Sequence, residues 1–376
     1  MLKNKNLLNF LWISLLLLLL SSLSLAAVIK TDDVKKWAEE NSHQPFTFVV
    51  IGDTRPAAAN ESLPVDILSE IFKEISLIRP DFIIHVGDIV FGYNEKYEHV
   101  KEILTEFTKI YKKYCGDIPL IIVPGNHDVQ AGKGALKAFQ EIFGKKMYYH
   151  FYYGNSHFIV LNTNFPMPGA LMKVGLFNLN DGQHKKPMLD WLNDLLETST
   201  SSFTILLSHA PLLTSEIILK LLNSKADLYI AAHWHITSER KLEQAKVLIV
   251  GGGGAPLNAP LESSIEKGLG VFSYAVVSIS DEINTKFLTP FSIHSRTSYI
   301  DSFIEITLTN RTHSKILLKG IKIHIPWEKY EIKAWLKLIL IDLPLKPRVL
   351  EVVDNSIGLA VSLPPVSVIH IKVIKK

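Results

Sequence analysis

Five short apolar runs punctuate the first two thirds of this chain, and each runs into an Asp, a His or an Asn-His-Asp group. PFTFVVIGD ends at Asp53, DFIIHVGD at Asp88, and IPLIIVPGNHD at Asn126, His127 and Asp128; FTILLSHAP reaches His209, and ADLYIAAHWH reaches His233 and His235. Continuous Val/Ile/Leu/Phe runs of this length predict strands buried on both faces. A single Asp at such an end is ordinarily a helix N-cap, a single Asn a turn residue, and a single His a satisfied core group. Five endings in succession predict something else: strand ends of one polarity collect on one edge, where α/β proteins build their sites. The stretch Ile118–Val129 is the organising one, because three residues able to touch a metal or move a proton follow Pro124-Gly125 at once.

Between the runs the apolar period changes from continuous to helical. Ile67, Ile71 and Ile75 share one face of Pro64–Ile78, and Val100, Ile103, Leu104, Phe107 and Ile110 share one face of Tyr97–Tyr114. Gly132–Gly144, Met188–Leu196 and Ile217–Leu222 predict shorter helices, and YYHFYYGNSHFIVLNTN predicts a hairpin. Runs at KVLIVGGGGAP and SYAVVSIS add two more strands. The alternation implies an α/β domain over residues 45–289, after a short lead-in at 27–44. From about residue 290 the period becomes two: Ile304, Ile306 and Leu308 alternate with Glu305 and Thr307, and Ile321, Ile323 and Ile325 with Lys322 and His324. Residues 290–376 therefore read as a small all-β sandwich of immunoglobulin or fibronectin type.

Composition bounds the function. With 376 residues and 47% hydrophobic content the chain can build two real cores. A formal charge of +3 gives no specific nucleic-acid signal. Cys115 is the single cysteine, which excludes an intrachain disulfide and any cysteine-based zinc or iron–sulfur site, and its place at a helix end reads as inert. Lys3 and Lys5 precede an apolar run from Leu7 to Leu20, followed by small residues to Ala27. Residues 1–26 accordingly read as a signal peptide or an N-terminal membrane anchor through residues 7–20, which puts the expected working domain outside the cytoplasm, secreted or held at the outer face of the membrane. Asn60-Glu-Ser and Asn310-Arg-Thr match the glycosylation triplet, a pattern that also arises by chance.

Taken together, GDTR (52–55), GDIV (87–90), GNHD (125–128), SHAP (208–211) and AHWH (232–235) resemble the calcineurin-like metallophosphoesterase superfamily over roughly residues 45–285. The resemblance implies a two-sheet β-sandwich flanked by helices and a metal-dependent hydrolysis of small-molecule phosphomonoesters or diesters. It implies two metal ions, Mn, Fe, Zn or Co, the first held by Asp53, Asp88 and His235 and the second by Asp88, Asn126, His209 and His233, with Asp88 shared. Two ions about 3.5–4 Å apart clamp a phosphate and activate a water. His127 would be the general acid for the leaving oxygen, and Asp128 would hydrogen-bond the His127 imidazole.

The chain departs from the family pattern at one telling place. The family has a His two residues after the first Asp; here Arg55 stands there, with no lone pair for a metal. Arg55 then contacts the substrate phosphate, or leaves the first ion to water, or another residue fills the gap. The same departure keeps an alternative open: a cell-surface binding protein with a degenerate, non-catalytic phosphoesterase domain. Phe91 occupies the position of the Tyr ligand of the purple acid phosphatase branch, and Tyr93 is a lesser ligand candidate. His85 reads as a core or supporting residue, His99 as surface, and His150 and His157 as hairpin residues within reach of a substrate mouth. Gly251–Gly254 lacks the GK[ST] of a nucleotide loop and reads as a close backbone passage beside the polar edge.

Overall fold

A computed structural model describes residues 28–163, 188–211, 225–242, 244–258, 261–262, 267–337, 342–345, 347–353 and 356–376. The N-terminal apolar segment, the expected helix Ile217–Leu222 and His184, assigned by sequence to a helix start, lie outside these residues.

The polar strand ends belong to two sheets that face each other, where the bare sequence pattern suggested the edge of one. In the first sheet, β1 (Phe46–Ile51), β2 (Phe82–His85) and β3 (Leu120–Ile122) run parallel. The second contains β4 (Tyr149–Tyr153), β5 (Ser156–Val160), β6 (Phe203–Leu207), β7 (Leu228–Ala231), β8 (Thr237–Leu242) and β9 (Ala245–Val250), in the order β4-β5-β6-β7-β9-β8. Its inner strands β5, β6, β7 and β9 are parallel, and the edges β4 and β8 are antiparallel. A two-residue pair, β10 (Leu261–Glu262) and β11 (Lys267–Gly268), precedes β12 (Tyr274–Ile279) and β13 (Ile283–Leu288), which complete the first sheet as β13-β12-β1-β2-β3.

The reason for two-sided apolar strands is visible in the packing. Phe48, Val50, Phe82, Ile84 and Ile121 point inward and meet Phe151, Phe158, Ile205, Ile230 and Leu248 of the opposite sheet. Phe48 and Phe82 stack across β1 and β2 with centroids 5.3 Å apart; each fully buried Phe contributes roughly 1.5–3 kcal/mol of transfer free energy. The alternate residues Val49, Ile51, Ile83 and Ile122 face outward onto helices Val65–Ile78, Tyr97–Cys115 and Lys133–Phe143. Helix Met188–Thr198 covers the other sheet through Trp191, Leu192 and Leu196. Cys115 is fully buried, its thiol donating to the Phe72 carbonyl at 3.2 Å, and burial pushes its pKa up. The aromatic run at Tyr148–Tyr153 is hairpin packing: Tyr148, Tyr149, Phe151 and Tyr153 are buried.

After Leu288 the chain enters a second sandwich. One sheet has the order β14 (Ile293–Ile300), β15 (Phe303–Asn310), β21 (Ser367–Lys375), β17 (Tyr330–Lys337), β18 (Asp342–Leu345). The other has the order β16 (Ile316–His324), β20 (Ser356–Leu363), β19 (Arg348–Val353). All pairings are antiparallel, and the expected alternation holds: Ile304, Ile306 and Leu308 are buried between half-buried neighbours. Asn310 is 1% exposed, and its amide donates to the Ser314 and Pro364 carbonyls at 2.8 Å, so its triplet is structural and closed to a glycan.

The two sandwiches join at helix Val65–Ile78. Gly320 lies so close to the Ser76 carbonyl that any side chain there would collide. Glu74 is buried in the joint, accepting from the Tyr274 hydroxyl at 2.7 Å and from the Ile293 amide at 2.9 Å. Burial pushes its carboxyl up to about 7.

Candidate metal centre

Parallel strands in both sheets end toward the same edge, and the residues just past those ends meet there. Asp53, Asp88, His233 and His235 adopt left-handed backbone conformations, with φ of 56°, 62°, 67° and 51°. Left-handed non-glycine residues cost about 1–3 kcal/mol each. Four of them at one edge mean that the loops are bent to aim these side chains inward, against local preference. The close approach of the turns has its own requirement: a Cβ on Gly125 would lie 2.2 Å from both the Asp88 amide nitrogen and Asp88 Oδ1, and one on Gly87 would lie 2.8 Å from His209 Nδ1.

The side chains form two adjoining clusters that share Asp88. In one, His209 Nε2 lies 3.2 Å from Asp88 Oδ1, 3.0 Å from Asn126 Oδ1 and 3.2 Å from His233 Nδ1. In the other, His235 Nε2 lies 3.7 Å from Asp53 Oδ1, and ligand atoms of Asp53, Asp88 and His235 all fall within 4.8 Å of one another. The ring orientations are fixed from behind. His209 Nδ1–H donates to the Val86 carbonyl at 2.8 Å and His235 Nδ1–H to the Pro256 carbonyl at 2.6 Å, aiming each Nε2 into the site. The His233 amide donates to Asp53 Oδ2 at 2.7 Å, tying the two sheets together at the edge.

Asp53 Oδ1 and Asp88 Oδ2 are buried with no hydrogen-bond partner. Buried carboxylate oxygens without partners are costly, and both residues belong to the same cluster. The donor set of carboxylate, imidazole and amide oxygen suits Mn, Fe, Zn or Co, so the residues present fit a pair of such ions. The charges are already polarised. Burial opposes ionisation of Asp88, but the charge and hydrogen bond of His209, with His127 and His233, outweigh it and hold Asp88 well below the usual carboxylate range. Burial raises Asp53, and the Asp88 charge adds to that against the opposing pull of His209. Burial lowers His209, yet the Asp88 charge and hydrogen bond lift it to about 9. Burial and the His209 charge bring His233 down to about 4.

The expected role of Asp128 is corrected. Its carboxylate does not reach the His127 ring; it accepts backbone amides from Gly125 at 2.9 Å, Asp88 at 2.8 Å, Ile89 at 2.8 Å and Val90 at 3.3 Å. A carboxylate beginning a short helix turns back onto nearby amides more readily than out to a ring, and here it clamps the Asp88 turn against the Asn126 turn. His127 finds its partner elsewhere: Nδ1–H donates to the Phe91 carbonyl at 2.5 Å, leaving Nε2 on the site side, 3.9 Å from Asp88 Oδ2.

Other residues surround this edge. The Tyr93 hydroxyl accepts from Asn126 Nδ2 at 3.5 Å, turning the Asn126 oxygen toward His209, and its ring stands edge-on to His127. His85 lies beneath the Asp88 turn, bonded to the Thr54 hydroxyl at 2.9 Å and accepting the Gly87 amide at 3.1 Å. Burial and the His209 charge lower it to about 3, as befits a supporting residue. Arg55 lies over the Phe91 ring, with Nη1 donating to the Pro56 carbonyl at 2.9 Å and Nε 3.8 Å from Asp88 Oδ2. His150 and His157 bond to each other at 3.0 Å, and His157 to Ser199, instead of joining the metal edge. Gly251 does pass close to it: a Cβ there would lie 2.9 Å from Asp53 Oδ2.

The calcineurin-like phosphoesterase family model matches residues 46–237, slightly over half the chain and the whole span that delivers these ligands. The chain belongs to the calcineurin-like phosphoesterases. The family match and the paired clusters make it a metal-dependent phosphoesterase with a dinuclear metal centre. No curated protein matches this phosphoesterase significantly. Among solved structures it is similar to the anchor in the inner membrane complex of Plasmodium, at 16% identity and a TM-score of 0.48 over 65% of this chain and 85% of that one. It is also similar to a dimetal phosphatase from Danio rerio, at 16% identity and a TM-score of 0.43 over 70% of this chain and 96% of that one. Membership rests on the family match and the site, not on these likenesses.

Proposed function

We propose that this phosphoesterase hydrolyses a small-molecule phosphomonoester or diester at the edge between the two sheets, with His127 as general acid and Arg55 as a phosphate contact. The observation that carries the reading is that Asp88 belongs to both clusters: its Oδ1 lies 3.2 Å from His209 Nε2, the residue also joins Asp53 and His235, and its Oδ2 is buried with no hydrogen-bond partner. When bound, two metal ions would neutralise the phosphate and supply a nucleophile from water at neutral pH. The chain's own residues do the rest. Asp53, Asp88 and His235 would hold one ion; Asp88, Asn126, His209 and His233 would hold the other. The carbonyls of Val86 and Pro256 fix the two imidazoles in the ligating tautomer. The Phe91 carbonyl fixes the His127 ring, so that Nε2 carries the mobile proton toward the departing oxygen. Arg55 presents an unsatisfied, permanently charged N–H beside the shared carboxylate.

The experiment is metal reconstitution. The protein is stripped of metal, reloaded with Mn, Fe, Zn or Co, and assayed on aryl phosphate monoesters and diesters. Turnover that returns with metal supports the reading, and metal binding without turnover on a broad panel supports the binding-protein alternative. The reading also includes action outside the cytoplasm. It is supported by the basic and apolar character of residues 3–20, and full-length protein confined to the cytoplasm on fractionation would overturn it.

A further inference from the structure

The two metal positions are not equivalent in this chain, and Arg55 is the reason. Four protein atoms converge on one position: Asp88 Oδ1, Asn126 Oδ1, His209 Nε2 and His233 Nδ1. Three residues define the other, Asp53, Asp88 and His235, with His235 Nε2 3.7 Å from Asp53 Oδ1. The side chain that could have supplied a further ligand there is a guanidinium, 12% exposed, with Nε buried and without a hydrogen-bond partner. Its neighbours leave it little room to withdraw: Pro56 accepts from Nη1, and the Phe91 ring lies against the charge, 5.4 Å from the guanidinium carbon. Arginine has no lone pair to give and keeps its charge. A fixed cation beside a three-atom site both removes a ligand and repels the incoming ion. The same three buried orphans, Asp53 Oδ1, Asp88 Oδ2 and Arg55 Nε, sit where an ion and an anionic substrate oxygen would complement them together.

We infer that Arg55 makes this centre asymmetric: the Asp88–Asn126–His209–His233 position holds its ion tightly, and the Asp53–Asp88–His235 position holds a weaker, exchangeable ion. This rests on the metal-centre reading above.

The test is calorimetric titration of the metal-stripped full chain with Mn²⁺ alone, with electron paramagnetic resonance at one and two equivalents. The parent is expected to bind one ion at least 100-fold more tightly than the second and to show an isolated Mn signal at one equivalent. Arg55→His restores an imidazole and removes the charge; the second ion should tighten at least tenfold, and a coupled-pair signal should appear at two equivalents. Arg55→Ala removes the charge without supplying a ligand and should tighten the second ion by less than Arg55→His. Two ions of equal affinity in the parent would overturn the inference, as would a second affinity unchanged in both variants. A parent that binds no Mn²⁺, Fe, Zn or Co at all would instead remove the metal-centre reading beneath it.

Discussion

The chain contains two β-sandwiches built on different plans. In residues 46–288 the central strands are parallel within each sheet, β1-β2-β3 in one and β5-β6-β7-β9 in the other. In residues 293–375 all pairings are antiparallel. Both bury alternating apolar faces well, so burial does not distinguish them. Direction does. Parallel strands deliver all their carboxyl ends to one edge, whereas antiparallel neighbours send theirs to opposite edges. The first sandwich therefore gathers six candidate ligands in one place, and bends four of them into left-handed backbone to do so. Strain stored at one edge is sustained by the two packed sheets behind it.

The sharpest way to break this contrast is at the shared carboxylate. Asp88→Ala should empty both metal positions and reduce hydrolysis to background; metal analysis that still finds two ions would end the bridging role. His127→Ala should keep its metal and lose on the order of 10²–10⁴ in kcat, and equal activity on a poor leaving group would refute the general acid. Gly125→Ala inserts a Cβ where Asp88 must sit; metal affinity should fall roughly 10–100-fold, as for other disturbed supports of a metal site, in a protein whose circular dichroism is unchanged.

The joint between the sandwiches yields a smaller, pH-dependent effect. Glu74 is raised from its ordinary 4.5 to about 7 by burial. The folded state therefore holds this proton more firmly than the unfolded state, and stability is greatest below about 4.5 and falls as pH rises to about 7. The shift corresponds to about 3 kcal/mol. Glu74→Gln should flatten that part of the stability profile in urea titrations, and an unchanged slope would show that the joint does not carry it. The smallest effect is expected in the second sandwich. Trp335 stacks on His370 across β17 and β21, away from every candidate ligand, so Trp335→Ala should change kcat/KM by less than about twofold, within the range of surface changes remote from special features.

Much of the site was legible because ligand chemistry restricts residue type. Asp53, Asp88, Asn126, His209, His233 and His235 follow strands that burial made recognisable, and the structure brings all six together. For Asp128 the resemblance implied a bond to the His127 ring; which donors a carboxylate meets is set by the neighbouring turn, here the amides of Asp88 through Val90. Tyr93 and the carbonyls of Val86, Phe91 and Pro256 carry no motif, since any residue has a carbonyl and only the fold decides where it points.

The sequence alone thus determined which strands are buried, where they end, and which donor atoms wait at those ends, because hydrophobic periodicity and ligand chemistry are local properties. It also displayed Arg55 in place of a metal-binding side chain. Only the tertiary structure decided that residues of two sheets meet at one edge, that Asp88 joins both clusters, and that the Arg55 cation stands beside the shared carboxylate. Those facts depend on which chain segments oppose each other across the sandwich, and long-range packing sets that opposition.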